Sequence, residues 1–320
     1  MKFYYAPMEG IVGHIYRRAH NAHFNHNHIH KYFTPFIAAD QTDVFKTKVL
    51  NDILPENNKG LTLIPQILTN NSNDFTHTSK KLEQFGYTEI NLNLGCPSGT
   101  VVSKKKGSGF LAFPEELDRF LEEIFTKRVT EISIKTRLGR DHPEAFYELI
   151  EIFNKYPLKE LIIHPRIQKD MYKNKPNLGV FKDAMALSKN PICYNGDIFT
   201  LEDYQIFTSA FPNVETIMLG RGLLANAGLV DLLEDGMKMD KKTLRAFHDQ
   251  IYQDYQSVLF GERNVLFKMK EIWFYLIQAF SNSDKYAKKI KKAEKLIDYD
   301  IIITSLFNEQ EILDSFGHSR

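Results

Sequence analysis

The sequence predicts an α/β fold, a (β/α)8 TIM barrel followed by a C-terminal all-α helical bundle, on three observations. Eight short apolar or β-branched segments recur before residue 235, with amphipathic runs between them, and beyond that point the strand-like segments stop. Strands that alternate with helical crossovers form a parallel sheet, because a parallel neighbour can only be reached by a long connection. Eight such units suit a closed barrel better than an open doubly wound sheet. No G-x-G-x-x-G follows the first strand, which also counts against a dinucleotide-binding open sheet.

The strand segments are Phe3–Met8, Tyr32–Ala39, Leu61–Leu68, Thr88–Leu94, Glu131–Arg137, Leu161–His164, Ile192–Asn195 and Thr216–Leu219. The helical runs include Asp74–Phe85, Pro114–Phe125, Pro143–Phe153 and Leu201–Phe211. Thr200 before Leu201-Glu202-Asp203, and Pro114 before Glu115-Glu116, are helix-start chemistry. In the tail, Leu244, Phe247, Ile251, Tyr255 and Val258 have helical spacing, as do Leu266, Met269, Trp273, Leu276 and Phe280. Two shorter helices are expected at Asp284–Leu296 and Asp298–Phe307. The expected domains are a barrel at 1–235 and an antiparallel bundle at 236–320.

A chain of 320 residues with 43% hydrophobic and 25% charged content has the composition of an ordinary soluble globular protein. Its longest apolar runs, such as Leu161-Ile162-Ile163, are far too short for a bilayer, and no signal-peptide core follows the N-terminus. Two cysteines without a pairing pattern point to a reducing compartment, so the expected location is cytoplasmic. The net charge of +1 says nothing for nucleic acid, but lysines cluster at 104–106 and at 285, 288, 289, 291, 292 and 295. Either cluster on its own reads first as a solvated face.

Function in such a barrel collects at the C-terminal strand ends. Side chains alternate along a strand, which turns Asn91 and Asn93 inward, then Ser133, Lys135 and Arg137, then His164 and Arg166. Gln66, Glu9 and Asn195 end three further strands. Any one of these polar groups could be a satisfied core residue. Six strand ends that converge are hard to explain as filler, because an unpaired buried polar group costs about 1–3 kcal/mol. Asn195-Gly196-Asp197 and Gly220-Arg221-Gly222 follow the seventh and eighth strands, where barrels often hold a phosphate on backbone N–H groups. With Lys135 across the mouth, they suggest a flavin mononucleotide or a phosphosugar.

Ala6-Pro7-Met8-Glu9-Gly10, Asn93-Leu94-Gly95-Cys96-Pro97-Ser98, Lys135-Thr136-Arg137-Leu138-Gly139, His164-Pro165-Arg166, Tyr194-Asn195-Gly196-Asp197 and Leu219-Gly220-Arg221-Gly222 together resemble the tRNA-dihydrouridine synthases of the bacterial, FMN-dependent type. The resemblance covers the whole chain. Ile167 stands where the family often has Thr, and Gly109-Phe110 where it often has Gly-Ala. The resemblance implies bound FMN, NADPH or NADH as reductant, and tRNA as partner, with no membrane, no metal and no obligate protein partner; a monomer is expected. It implies Pro7, Met8 and Glu9 along the flavin, Gln66 and Lys135 at the ring's polar edge, and His164 toward the ribityl-phosphate. Asn195, Gly196, Asp197, Gly220 and Arg221 would hold the phosphate, Asn93 would lie beside ring and base, and Cys96 would be the proton donor. Arg137, Arg166, Lys104, Lys105, Lys288 and Lys292 are the expected tRNA contacts.

The chemistry agrees. Saturating the C5–C6 bond of uracil needs a hydride at C6 and a proton at C5. An unperturbed thiol, with pKa about 8.5, is a largely protonated donor at neutral pH. Gly99, Gly107 and Gly109 suggest a mobile loop around Cys96. Cys193, in mid-strand, reads instead as a small buried hydrophobe. The target base must leave the tRNA stack, which gives the lysine-faced tail helix a purpose. The six histidines from His14 to His30 lack metal-site spacing and read as a polar loop or RNA contact. The rivals are an FMN barrel acting on a free pyrimidine, which needs no such tail, and a non-catalytic RNA-binding flavin barrel, against which Cys96, Lys135 and Asn93 argue.

Overall fold

The computed structural model describes residues 1–24 and 28–317. Its strands are β1 (Lys2–Tyr5), β2 (Ile29–Phe33), β3 (Ile37–Ala38), β4 (Leu63–Ile64), β5 (Gln66–Leu68), β6 (Glu89–Leu94), β7 (Glu131–Gly139), β8 (Leu161–Ile167), β9 (Ile192–Tyr194) and β10 (Thr216–Leu219). They pair in parallel in the order β3-β5-β6-β7-β8-β9-β10-β1-β2-β4. The two ends of that order are halves of the same two strands. Thr34-Pro35-Phe36 splits β2 from β3, and Pro65 splits β4 from β5, because proline has no N–H to give the ladder. Thr34 mends the gap: its N–H donates to the Ile64 carbonyl at 3.1 Å, and its Oγ1 accepts the Gln66 N–H at 3.0 Å. The sheet therefore closes as a ring of eight strands, two of them interrupted.

The floor of the barrel is apolar, with Tyr4, Phe33, Ile162 and Met218 packed around a fully buried Cys193. The predicted crossover helices lie at Ser72–Glu83, Pro114–Thr126, Ala145–Phe153 and Leu201–Ala210. Thr200 makes a capping box with Asp203 on the last of these. Among the described residues, no helix is long and apolar enough to cross a membrane.

The polar-loop reading of the histidine segment is corrected in its first half, since His14–Phe24 is a helix. Its buried face uses Arg17 and His20 as core residues. Arg17 donates to the carbonyls of Val12 at 2.8 Å and Asp52 at 2.6 Å, and to Asn58 Oδ1 at 2.9 Å. His20 donates through Nε2 to the Ala227 carbonyl at 2.9 Å and accepts from the Tyr32 hydroxyl at 3.0 Å. Burial brings its pKa down to about 4, so the ring is neutral. His26 lies outside the described residues.

The tail forms helices at Lys241–Val258, Glu262–Leu276, Ser283–Lys292 and Leu296–Glu309. Tyr299 is their polar hub: its oxygen accepts from Trp273 Nε1 at 2.7 Å, and its hydroxyl donates to His248 Nε2 at 2.7 Å. The expected single helix over 284–296 is also corrected, because it stops at Lys292. Lys270 reaches across to the Ala293 carbonyl, and Glu262 accepts the Leu296 N–H at 3.0 Å, so the bend is held from the neighbouring helix. Ile297 is exposed as a result, and Lys295 does not share the face of Lys288 and Lys292.

Candidate active site

At the C-terminal mouth, the ends of β1, β9 and β10 enclose a cavity lined by Pro7, Met8, Lys135, His164, Tyr172, Asn195, Gly196, Asp197, Phe199, Gly220 and Arg221. Its two turns need glycine for steric reasons. A Cβ on Gly196 would lie 1.9 Å from the Tyr194 hydroxyl, and one on Gly222 would lie 2.2 Å from the Ile198 carbonyl. Side chains there would fill the cradle or force the turns apart.

The charge in the cavity is lopsided. Asp197 accepts from Arg166 in a two-point ion pair and from Arg221 at 2.6 Å. Arg166 also donates to His164 Nε2 at 3.0 Å. With that nitrogen as acceptor the imidazole is neutral, and burial followed by the charges of Arg137 and Lys135 holds its pKa well below the ordinary range. Lys135 has no carboxylate within ion-pair distance among the described residues. Burial, then Arg137, brings its pKa down to about 7. Lys135 and Arg221 line the cavity with Asp197 as the one carboxylate among its lining residues, and Asp197 is already held by Arg166 and Arg221, so the mouth is a site for an anion. A cradle cleared of side chains and a buried ammonium without a counter-charge together fit a phosphorylated, electron-accepting ring such as FMN.

Behind the cavity runs a polar layer. Gln66 donates to Asn91 Oδ1 at 2.8 Å, Asn91 donates to Ser133 Oγ at 3.0 Å, and Asn93 donates to Gln66 Oε1 at 2.7 Å. Asn93 Oδ1 then accepts the N–H groups of Gly95 at 3.0 Å and Cys96 at 2.9 Å, which shapes the turn that carries the thiol. Arg137 ties Gly95 to β8 by donating to the Gly95 carbonyl at 2.9 Å and the Ile167 carbonyl at 3.0 Å. Gln168 holds the Pro97 carbonyl at 3.1 Å, and Ser108 holds that of Cys96 through both its N–H and its hydroxyl.

The expectation that the nearby glycines loosen this loop is corrected for two of them. Gly107 has φ +55°, and its Cβ would meet the Cys96 carbonyl at 2.8 Å; that of Gly109 would meet Val102 Cα at 2.8 Å. Both glycines permit tight packing. Cys96 is half-buried and burial pushes its thiol up, so it stays protonated at neutral pH.

Other expected residues lie apart from the cavity. Glu9 turns outward toward Lys48 at 3.6 Å, and Gln66 is locked in the polar layer. Arg137 and Arg166 are buried, and their hydrogen bonds go to protein groups. Lys104 is exposed; Lys105 pairs with Glu116 at 3.4 Å and lies 4.0 Å over the Phe113 ring. Lys288 and Lys292 are exposed on the helix Ser283–Lys292. Sequence reasoning missed Tyr172 and Phe199, whose rings lie 4.5 and 5.4 Å from the Arg221 guanidinium. Phe199 was within reach, two residues past Asp197, whereas Tyr172 sits in an irregular stretch with no periodic pattern to single it out. Among the described residues no three His, Cys, Asp or Glu side chains group as a metal site.

Comparison with known proteins places this geometry. Over 162 residues the chain is 27% identical to tRNA-dihydrouridine synthase B of Pasteurella multocida (strain Pm70), which covers 50% of this chain and 48% of that one. It is 30% identical over 148 residues to a tRNA-dihydrouridine(16) synthase of Pseudomonas putida, covering 46% of each. The chain thus spans about half the length of these two curated relatives. With the tRNA-dihydrouridine(16) synthase of Vibrio vulnificus (strain CMCP6) the identity is 22%, over 98% of this chain and 99% of that one. Among solved structures, histamine dehydrogenase from Rhizobium sp. 4-9 superposes with a TM-score of 0.56 at 12% identity, covering 73% of this chain and 46% of that one. A variant of NCR from Zymomonas mobilis gives 0.51 at 11%, covering 77% and 90%. These last two share the fold. The model of the family described as Dihydrouridine synthase (Dus) matches residues 4–311, so the chain belongs to the dihydrouridine synthase family.

Proposed function

We propose that this protein is a cytoplasmic, monomeric flavoenzyme that uses FMN and NADPH or NADH to reduce particular uridines of tRNA to dihydrouridine. The observation that carries the reading is a protonated, half-buried Cys96 thiol held at the same barrel mouth as the unpaired Lys135 and the glycine-lined anion cradle. Pro7, Met8, Lys135 and His164 would line the ring and ribityl chain, and Asn195, Gly196, Asp197, Gly220 and Arg221 the phosphate. The group these residues would hold, FMN, would supply hydride chemistry at C6 of the uracil. Cys96 delivers the proton to C5, and Asn93 aims it by fixing the turn that carries it. Lys135 balances negative charge on the ring. Lys104, Lys105, Lys288 and Lys292 are exposed cations suited to the tRNA backbone, and residues 236–320 are the unit that holds the RNA.

The test is direct. Purified protein should be yellow, with about one releasable FMN per chain, and tRNA from a deletion strain should lack dihydrouridine at one or more positions. A colourless protein with no FMN affinity sinks the reading at its first step. Flavin bound but dihydrouridine unchanged in the deletion strain points to a free pyrimidine instead.

Gly109→Ala probes the loop separately from the cradle. Its Cβ must displace Val102 and with it the Cys96 turn, so turnover with tRNA should fall roughly 10–100-fold. FMN content should stay unchanged. Equal turnover would mean that the loop yields without moving the thiol.

A further inference from the structure

Where the helix Glu262–Leu276 meets the first strand's loop and the helix Ser283–Lys292, an apolar groove opens that the proposed chemistry leaves unused. Ile11 and Ile290 line it. Phe267 and Phe274, seven residues apart on one helix face, are each 59% exposed along it. Two exposed phenylalanines on a single face are costly in water unless something covers them. Lys270, Lys288 and Lys291 also line the groove. Its one carboxylate, Glu271, is already met by Lys268 at 2.9 Å. The groove is therefore aromatic within and cationic overall.

It also runs up to the mouth. Lys268 donates to the Gly10 carbonyl at 2.7 Å, just past Met8, and the helix Glu262–Leu276 packs on Arg221–Ala225. Tyr275, which lines the groove, lies within electrostatic reach of Tyr172 and Arg221 in the cavity.

We propose that this groove takes an unstacked base of the same tRNA, a neighbour of the extruded uridine, against Phe267 and Phe274, with its flanking phosphates on Lys270, Lys288 and Lys291. The inference rests on the tRNA reading. Pulling one nucleotide out of a stack uncovers the faces of those beside it. Aromatic rings accept any base face, and lysines alongside meet the phosphates. The cationic groove favours RNA over an aliphatic protein segment, which has no use for the lysines.

The experiment compares wild type, Phe267→Ala/Phe274→Ala and Lys288→Ala/Lys291→Ala for tRNA affinity at several salt concentrations, with FMN content measured alongside. Both phenylalanines are exposed, so the variant should fold and keep its flavin. Its tRNA affinity should fall roughly 5–100-fold with the salt slope unchanged, because stacking is lost and no phosphate contact is. Phe267→Trp/Phe274→Trp should restore affinity. The lysine pair should flatten the salt slope by about two phosphates' worth. If the phenylalanine variant binds tRNA as wild type does, the proposal is overturned. It is also overturned if that variant instead dissolves a dimer seen by sedimentation, which would make the groove an interface between copies. A wild-type protein without tRNA affinity overturns the functional reading together with this one.

Discussion

Replacing Cys96 with alanine should slow reoxidation of the bound flavin by tRNA roughly 10²–10⁴-fold, the usual worth of a general acid, while reduction by the nicotinamide stays near the wild-type rate. The separation follows from where the thiol sits. Asn93, Ser108, Arg137 and Gln168 fix its turn over the mouth, and none of these bonds passes through the sulfur. Removing Sγ therefore takes away a proton and leaves the loop and the anion cradle in place. Burial raises the thiol pKa, so the donor stays protonated into mildly alkaline solution, and the tRNA half-reaction should hold its rate beyond about pH 8.5, where an unperturbed thiol ionises. Cys193→Ala, in the barrel floor, should leave both half-reactions close to normal, with only a stability cost from the cavity. Stopped-flow measurement of the two half-reactions decides the matter. Should Cys96→Ala oxidise with tRNA as fast as wild type, the acid is another group.

Lys135→Met should weaken FMN binding by roughly 10–150-fold, the worth of a hydrogen bond to a charged group, and should also stabilise the flavin-free protein. The two effects have one cause. Burial opposes the ammonium and no carboxylate among the described residues answers it, so the folded-state pKa lies at about 7, below the ordinary 10.5. For a lysine with a depressed folded pKa, the unfolded chain binds more protons between those two values, and stability rises with pH across that window. The penalty is present in full below about pH 7 and fades toward pH 10. Flavin-free Lys135→Met should therefore melt above flavin-free wild type at pH 6, with the gap narrower at pH 9. Bound FMN gives the ammonium its counter-charge and should flatten the wild-type dependence. A gap constant from pH 6 to pH 9 would show that Lys135 is not the titrating group.

Much of this architecture could be read along the chain. Apolar and β-branched segments announced the eight strands because each is buried on both faces and carries its own signal. Asn93, Lys135 and His164 were legible as inward residues from strand alternation alone, and the two glycine turns from their place after the last strands. Glu9 broke the pattern because it lies past the end of β1, where alternation no longer governs direction and Lys48 is near. The helix His14–Phe24 was hidden by composition: histidine and arginine count as polar until Tyr32, Ala227, Val12 and Asn58 supply partners that let them be buried.

By itself the sequence determined the element order, the inward faces of the strands and the chemistry available at the mouth, since each is set by residues within a turn or a strand of one another. Tertiary structure decided how those groups are used. Asp197 has its two arginines from β8 and from beyond β10, Arg137 reaches from β7 to both the Cys96 turn and β8, and the tail bends at Ala293 because Lys270 holds its carbonyl. Such choices depend on which charged or polar group arrives from a distant segment at the moment of burial, and local periodicity contains no record of that distance.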